Sequence, residues 1–209
     1  MQIYAEGLNR KQGHFLLDSI VCPRPIFLIS TKSKNGVSNL APYSMSGIAC
    51  TKPPMVCYSS VIRPDGSEKD TLTNIKETGE FIVNMVTENV INNVLIAARN
   101  YPPGESELDH TNLTTSPGLL VAPYRVLESP VNMECTLCQI IELGEHHSLV
   151  IGEVKVFHVE DSVYTGKDID LTKLTVIGRM GGSAFIKATD IFSNTDEWDL
   201  NADLALEKD

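Results

Sequence analysis

The sequence predicts a mainly β fold, a β-barrel with appended helices, and three observations carry that expectation. Apolar runs of strand length recur along the chain, set apart by Gly, Pro and Asn. Few stretches show helical periodicity, and only two or three helices are expected. The two longest strand candidates, 131–143 and 148–159, alternate only in part. Each therefore carries apolar residues on both sides, as strands packed inside and outside a barrel require. No internal repeat or low-complexity segment interrupts the pattern, so residues 1–209 are expected to form one domain with an acidic tail over 194–209.

In chain order, Phe15, Leu16, Leu17, Ile20 and Val21 recur at roughly helical spacing until Pro23 ends them. Strands are expected over 25–31, 37–44 and 55–61. The first two flank Lys32-Ser33-Lys34-Asn35-Gly36, whose Asn-Gly signals a hairpin. A helix is predicted over 70–78, with Asp70 as its N-cap and Gly79 as its C-cap. Phe81 to Val86 reads as a buried strand. A second helix is expected to start at Thr87, with Val90, Ile91, Val94, Leu95 and Ala98 on its apolar face. The stretch 101–118 is long, polar and without periodicity, as expected of a functional or partner-packed loop. A hairpin around Gly144-Glu145-His146-His147 follows, then a turn-rich 161–173 and a segment Val176 to Gly182. In the tail, Trp198 and Leu200 are the main apolar anchors.

Composition narrows the function. Net charge is −10, which argues against nucleic acid or an anionic membrane as main partner. No apolar run approaches the ~20 residues of a membrane span. The first residues lack a charged segment followed by an apolar one, and five cysteines fit a reducing compartment. A cytoplasmic protein is expected.

The stretch from Pro23 to Thr71 carries the chemistry. Small hydroxyl residues allow a flat polar ligand to approach the backbone, and Lys69 beside a helix start attracts an anion. This combination reads as a site for a ring bearing a phosphate. Cys135 and Cys138 stand three apart in a strand, so they point to opposite faces and no metal site is expected. Gly178-x-x-Gly181-Gly182 lacks the strand-turn-helix context and following acidic residue of a dinucleotide-binding domain.

The order of Pro23-Arg24-Pro25, Ser30-Thr31, Asn39-Leu40-Ala41-Pro42-Tyr43-Ser44, Pro53-Pro54 and Lys69-Asp70-Thr71 resembles the flavin reductase-like family. Further matches are Asn74-Ile75, Gly79-Glu80-Phe81, Tyr101-Pro102-Pro103-Gly104, Ser129-Pro130-Val131, His147 with Val150-Ile151-Gly152-Glu153-Val154, and Gly178-Arg179-Met180-Gly181-Gly182. That family includes the flavoredoxins and has an FMN-binding split-barrel fold. The resemblance implies a homodimer with FMN near the subunit interface. It implies that Lys69, Asp70 and Thr71 hold the phosphate, aided by Ser59 or Ser60, and that Asn39, Ala41, Tyr43 and Ser44 line the ring. Arg24, Thr31, His147 and Arg179 fall at family positions near the cofactor or the entering donor.

The activity so implied is NAD(P)H-dependent flavin reduction. The alternatives are a flavoredoxin-type electron carrier, which needs a protein redox partner, and a non-redox FMN-binding module. An acidic surface would suit a basic protein partner. Met45-Ser46-Gly47-Ile48 and Ala184-Phe185 depart from the family pattern, and both departures bear on the second substrate more than on FMN.

Overall fold

The computed structural model describes residues 1–102 and 104–192. The acidic tail expected over 194–209, with Trp198 and Leu200, lies outside the described residues. Helix α1 (Arg10–Ile20) opens on a capping box: Asn9 accepts from the Gln12 amide, and the Asn9 amide donates to the Gln12 side chain, both at 3.0 Å. Those polar bonds start the helix five residues before the apolar spacing does. Its apolar residues do not enter a core. Phe15, Leu17 and Ile20 are 51%, 62% and 72% exposed, while Asp18 is buried.

Strands β1 (Arg24–Pro25) and β2 (Phe27–Lys32) replace the single strand expected over 25–31. β3 (Ser38–Tyr43) pairs with β2 across the expected hairpin, where Gly36 takes φ 86°. β4 (Ser46–Thr51) was not expected: its side chains are half-buried or exposed, so no burial pattern marked it. β5 (Pro54–Val61) follows.

Two helix starts differ from expectation. In α2 (Asp70–Thr78) the N-cap is Lys69, not Asp70. Asp70 instead turns its carboxylate to Arg63, 3.0 Å away, and no side chain caps the helix. At the far end Gly79 takes the left-handed C-cap conformation foreseen for it. After β6 (Glu80–Met85), Thr87 does not cap the next helix, because its backbone bridges to Val176 and is drawn into strand pairing. α3 (Ile91–Ala97) begins one turn later, from Val90.

The stretch expected to be an unstructured loop holds a 3-10 turn, Glu107–His110, and β7 (Thr115–Pro117), which pairs with β8 (Tyr124–Val126). β9 (Val131–Leu143) and β10 (His147–Val159) form the long hairpin. β11 (Val176–Arg179) and β12 (Phe185–Ala188) complete the fold, β11 pairing with β1.

The main sheet is antiparallel, in the order β3-β2-β6-β9-β10-β5-β4. Its edge strands, β3 and β4, are consecutive in the chain and joined by Ser44-Met45. The sheet therefore curls back on itself, and β3 packs across onto β5. Side-chain alternation divides the core in two. Inside the curl lie Ile29, Tyr43, Tyr58, Phe81, Val83 and Val150; on its outer side Leu28, Leu40, Val90, Val94 and Ile177 form a second cluster that includes α3. This explains strands that are apolar on both faces. Gly152 leaves room for Phe81, whose ring would stand 2.2 Å from any Cβ added there.

Fully buried Glu134 pins the turn at 119–121. It accepts the amides of Leu119 (2.5 Å), Leu120 (2.7 Å) and Val121 (3.2 Å), with the His158 ring at 2.6 Å. Burial pushes its carboxyl upward, but the two nearest amides and His158 outweigh burial and hold it below the usual range. Cys135 is buried and Cys138 exposed, the latter at a β-bulge where Gln139 pairs with Ile151 and Leu137 with Gly152. No described helix is long and apolar enough to cross a membrane.

Candidate functional site

The N-terminus of α2 opens onto a cleft of about 660 Å³. Its floor is Asn39, Ala41 and Pro42 of β3; Arg63, Lys69, Asp70 and Thr71 close one end, and Arg99, Tyr101 and Glu107 come from the far wall. In the first turn of α2 the Leu72 amide donates to the Lys69 carbonyl (2.9 Å), which leaves the Asp70 and Thr71 amides as the donors this end presents beside its cations. Lys69 reaches over the Tyr43 ring, 5.7 Å from its centroid. Burial, then the Arg63 charge, lowers its ammonium pKa below the ordinary lysine value, and Glu107 opposes that. Arg63 is tied to Asp70 and to the Glu68 carbonyl.

Behind the floor lies a buried polar net. Asn39 Nδ2 donates to Thr31 Oγ1 (3.2 Å) and to Thr71 Oγ1 (2.9 Å), and Asn74 Nδ2 donates to the same Thr31 oxygen (3.0 Å). Thr31 thus orients Asn39 and joins β2, β3 and α2 without lining the cleft. Deeper still, the hydroxyls of Tyr43, Tyr58 and Ser60 are buried and form no hydrogen bond of ordinary geometry. Burial raises the Tyr43 phenol to about 12, with the neighbouring Thr71 and Ser60 hydroxyls pulling the other way.

A second cavity of about 280 Å³ adjoins the first, sharing Pro42 and Ala98. It is lined by Arg24, Tyr43, Ser44 and Arg179 together with apolar residues of α3 and Phe185. The expected site residues therefore fall into three groups. Asn39, Ala41, Lys69, Asp70 and Thr71 meet in the first cleft; Arg24, Tyr43, Ser44 and Arg179 meet in the second cavity. Thr31, Ser59, Ser60 and His147 line neither. Ser60 is buried beside Tyr43, whereas Ser59 is next in the strand and so faces the other side.

His147 begins β10, paired with Val61, and its pKa is lowered by burial and by nearby Arg10. Sequence reasoning missed Arg63 and Glu107. Arg63 sits in a stretch legible only as a turn, and that turn forms, with the Arg63 amide donating to Ser67 O at 2.9 Å. Glu107 arrives because its carboxylate accepts the Leu40 amide of edge strand β3 at 2.8 Å, a partnership no local pattern announces. Burial raises its carboxyl pKa.

A donor-rich, cationic helix end beside a flat Ala-Pro wall suits an anionic group carried on a flat ring. The family model described as the flavin reductase like domain matches residues 19–171. An uncharacterized protein of Halalkalibacterium halodurans is 34% identical over 198 residues, covering 92% of this chain and 95% of that protein. Among solved structures, nitrilotriacetate monooxygenase component B from Bacillus cereus is similar at TM-score 0.89 and 32% identity, covering 93% of this chain and 98% of that one. The 2-nitrobenzoate 2-nitroreductase of Pseudomonas fluorescens is similar at TM-score 0.86 and 27% identity, over 96% and 98% of the two chains. With a matched region that spans most of its length and a split barrel to carry it, this chain belongs to the flavin reductase-like family.

Proposed function

We propose that this protein binds FMN in the first cleft and acts as an NAD(P)H-dependent flavin reductase. One observation carries the reading: Lys69 and Arg63 stand at the N-terminus of α2, at the end of a cleft floored by Asn39, Ala41 and Pro42, in a protein of net charge −10. A local cationic end within an acidic chain selects an anionic group on an otherwise neutral ligand. Bound flavin supplies the hydride-accepting chemistry. The chain's own residues bind and orient. Lys69, Arg63 and the first-turn amides of α2 hold the phosphate. Asn39, its amide nitrogen locked by Thr31 and Thr71, is left with its carbonyl oxygen to accept from the ligand. Ala41 and Pro42 give a flat wall without a competing polar group.

A second copy of the chain is part of this reading. α1 carries Phe15, Leu17 and Ile20 outward, and Ile48 of β4 is 80% exposed. Apolar side chains so arranged are the expected mark of a partner surface, and a homodimer covers them. The nitrilotriacetate component and the nitroreductase named above support a redox role on this fold.

Stopped-flow mixing of the FMN-loaded protein with NADH and with NADPH tests the activity. Flavin bleaching faster than for free FMN is expected with at least one nicotinamide. A rate equal to that of free FMN transfers the choice to an electron carrier served by a protein partner. Failure to bind FMN at micromolar concentration removes the reading altogether.

A further inference from the structure

The second cavity has a charge arrangement that its own residues leave unfinished. In the β1–β11 pair, Arg24 stands directly opposite Arg179. Like charges placed opposite one another in a sheet are destabilising unless something lies between them. Among the described residues one carboxylate serves the two, and it belongs to Arg24: Asp18 Oδ1 lies 3.2 Å from the Arg24 guanidinium. His14 shares the same carboxylate at 3.5 Å.

Arg24 is 7% exposed and spends its terminal nitrogens on the carbonyls of Asp18 (2.7 Å), Val21 (2.8 Å) and Met180 (3.3 Å). Its Nε–H is buried and has no acceptor among the described residues. A buried guanidinium donor without a partner is costly, and native structures leave few of them. Arg179 lies over the Phe185 ring, 4.5 Å from the centroid, and donates to the Gly182 carbonyl. Among the described residues it has no carboxylate within ion-pair distance.

The rest of the wall mixes apolar Ile26, Met45, Val94, Leu95 and Phe185 with Tyr43 and Ser44, while Asp18 and His14 line it beside Arg24. A cavity of about 280 Å³ lies at the small end of ligand sites, enough for a compact molecule and not for a dinucleotide. Asp18 offsets one of the two guanidiniums, and the surplus charge of Arg179 beside Phe185 and the apolar α3 side chains suits a ligand that is anionic at one end and apolar and flat at the other.

We propose that this second cavity is a binding site for a small aromatic carboxylic acid, its carboxylate held between Arg24 and Arg179 and its ring against Phe185 and the α3 side chains. The acid lies beside the first cleft, since Pro42 and Ala98 border both. This makes it the subsite of a second substrate next to the flavin, a role that rests on the flavin reading; the binding itself does not.

Isothermal titration with benzoate, benzamide and inorganic phosphate, on FMN-free and FMN-saturated protein, decides the matter. Benzoate should bind at least tenfold more tightly than benzamide, which keeps the ring and loses the charge, and more tightly than phosphate, which keeps the charge and loses the ring. Arg179→Gln should weaken benzoate by about tenfold or more, as expected for losing a charged hydrogen-bond donor. Arg179→Lys should recover part of that loss. Benzamide or phosphate binding as well as benzoate overturns the proposal, as does an unaltered benzoate affinity in Arg179→Gln. The wild-type comparison stands alone should the variant not fold. Loss of FMN binding counts against the proposed function; loss of benzoate binding in a protein that takes up FMN counts against this site.

Discussion

Tyr43 on β3 and Tyr58 on β5 pack with ring centroids 4.4 Å apart and planes tilted by 52°, across the seam where the sheet curls back on itself. Among the described residues neither hydroxyl makes a hydrogen bond of ordinary geometry, although the Thr71 and Ser60 hydroxyls stand beside that of Tyr43. The two rings close the barrel by apolar contact and pay for it with two desolvated phenols.

That cost has a pH signature. Burial raises Tyr43 from 10.0 to about 12 and Tyr58 well above 10.0. Above pH 10 the unfolded chain releases protons that the folded chain keeps, so stability is complete below pH 10 and falls as pH rises towards about 12. Thermal melts at pH 9 and pH 11 should show the loss. Tyr43→Phe should shrink it while leaving stability at pH 7 unchanged or slightly raised, because an unpaired buried hydroxyl is removed. An equal drop in wild type and variant would contradict this account.

The proposed phosphate site at the end of the cleft makes its own prediction. Lys69→Met should weaken FMN by about tenfold or more and leave riboflavin, which has no phosphate, nearly unchanged. The ammonium pKa is lowered by burial. Lys69 therefore loses its charge at a lower pH than a free lysine, and FMN affinity should decline on the alkaline side before riboflavin affinity does. Fluorescence titration of both flavins across pH measures each effect. Equal losses for the two ligands would move the phosphate elsewhere.

Thr31 is the shared acceptor of two buried amides. Thr31→Val keeps the shape and strands the Asn39 and Asn74 donors. The expected destabilisation is about 1–3 kcal/mol, and Thr31→Ser should restore most of it. Urea unfolding of the three proteins is the check. A neutral valine variant would mean that water reaches these amides.

The proposed homodimer makes a prediction at α1. Sedimentation should give a particle of about twice the 22.9 kDa chain. Leu17→Glu together with Ile20→Glu should dissociate it, since both side chains are exposed in the single chain and neither supports its core. A monomeric wild type at micromolar concentration would leave these apolar residues unexplained.

Much of this protein was legible in its sequence because local rules and tertiary demands coincided. The Asn35-Gly36 hairpin needs a residue free to take positive φ, and Gly79 ends α2 for the same reason. The two-sided apolar strands announced a sheet with a core on each face, and the spacing placed Lys69 at a helix start, where it lines the first cleft. Other features depended on partners distant in the chain. Asp70 has the chemistry of a cap but meets Arg63, so an ion pair displaces capping. Thr87 could begin a helix, but Val176 draws it into a strand bridge. Glu107 enters the cleft through one amide of an edge strand 67 residues away. The meeting of Arg24 with Arg179 exists only because β1 and β11 pair. Periodicity and capping signals act over a few residues and so can be read from the chain itself. Edge-strand amides and cross-sheet charges acquire partners only when the sheet closes, and that closure decides which residues share a cavity.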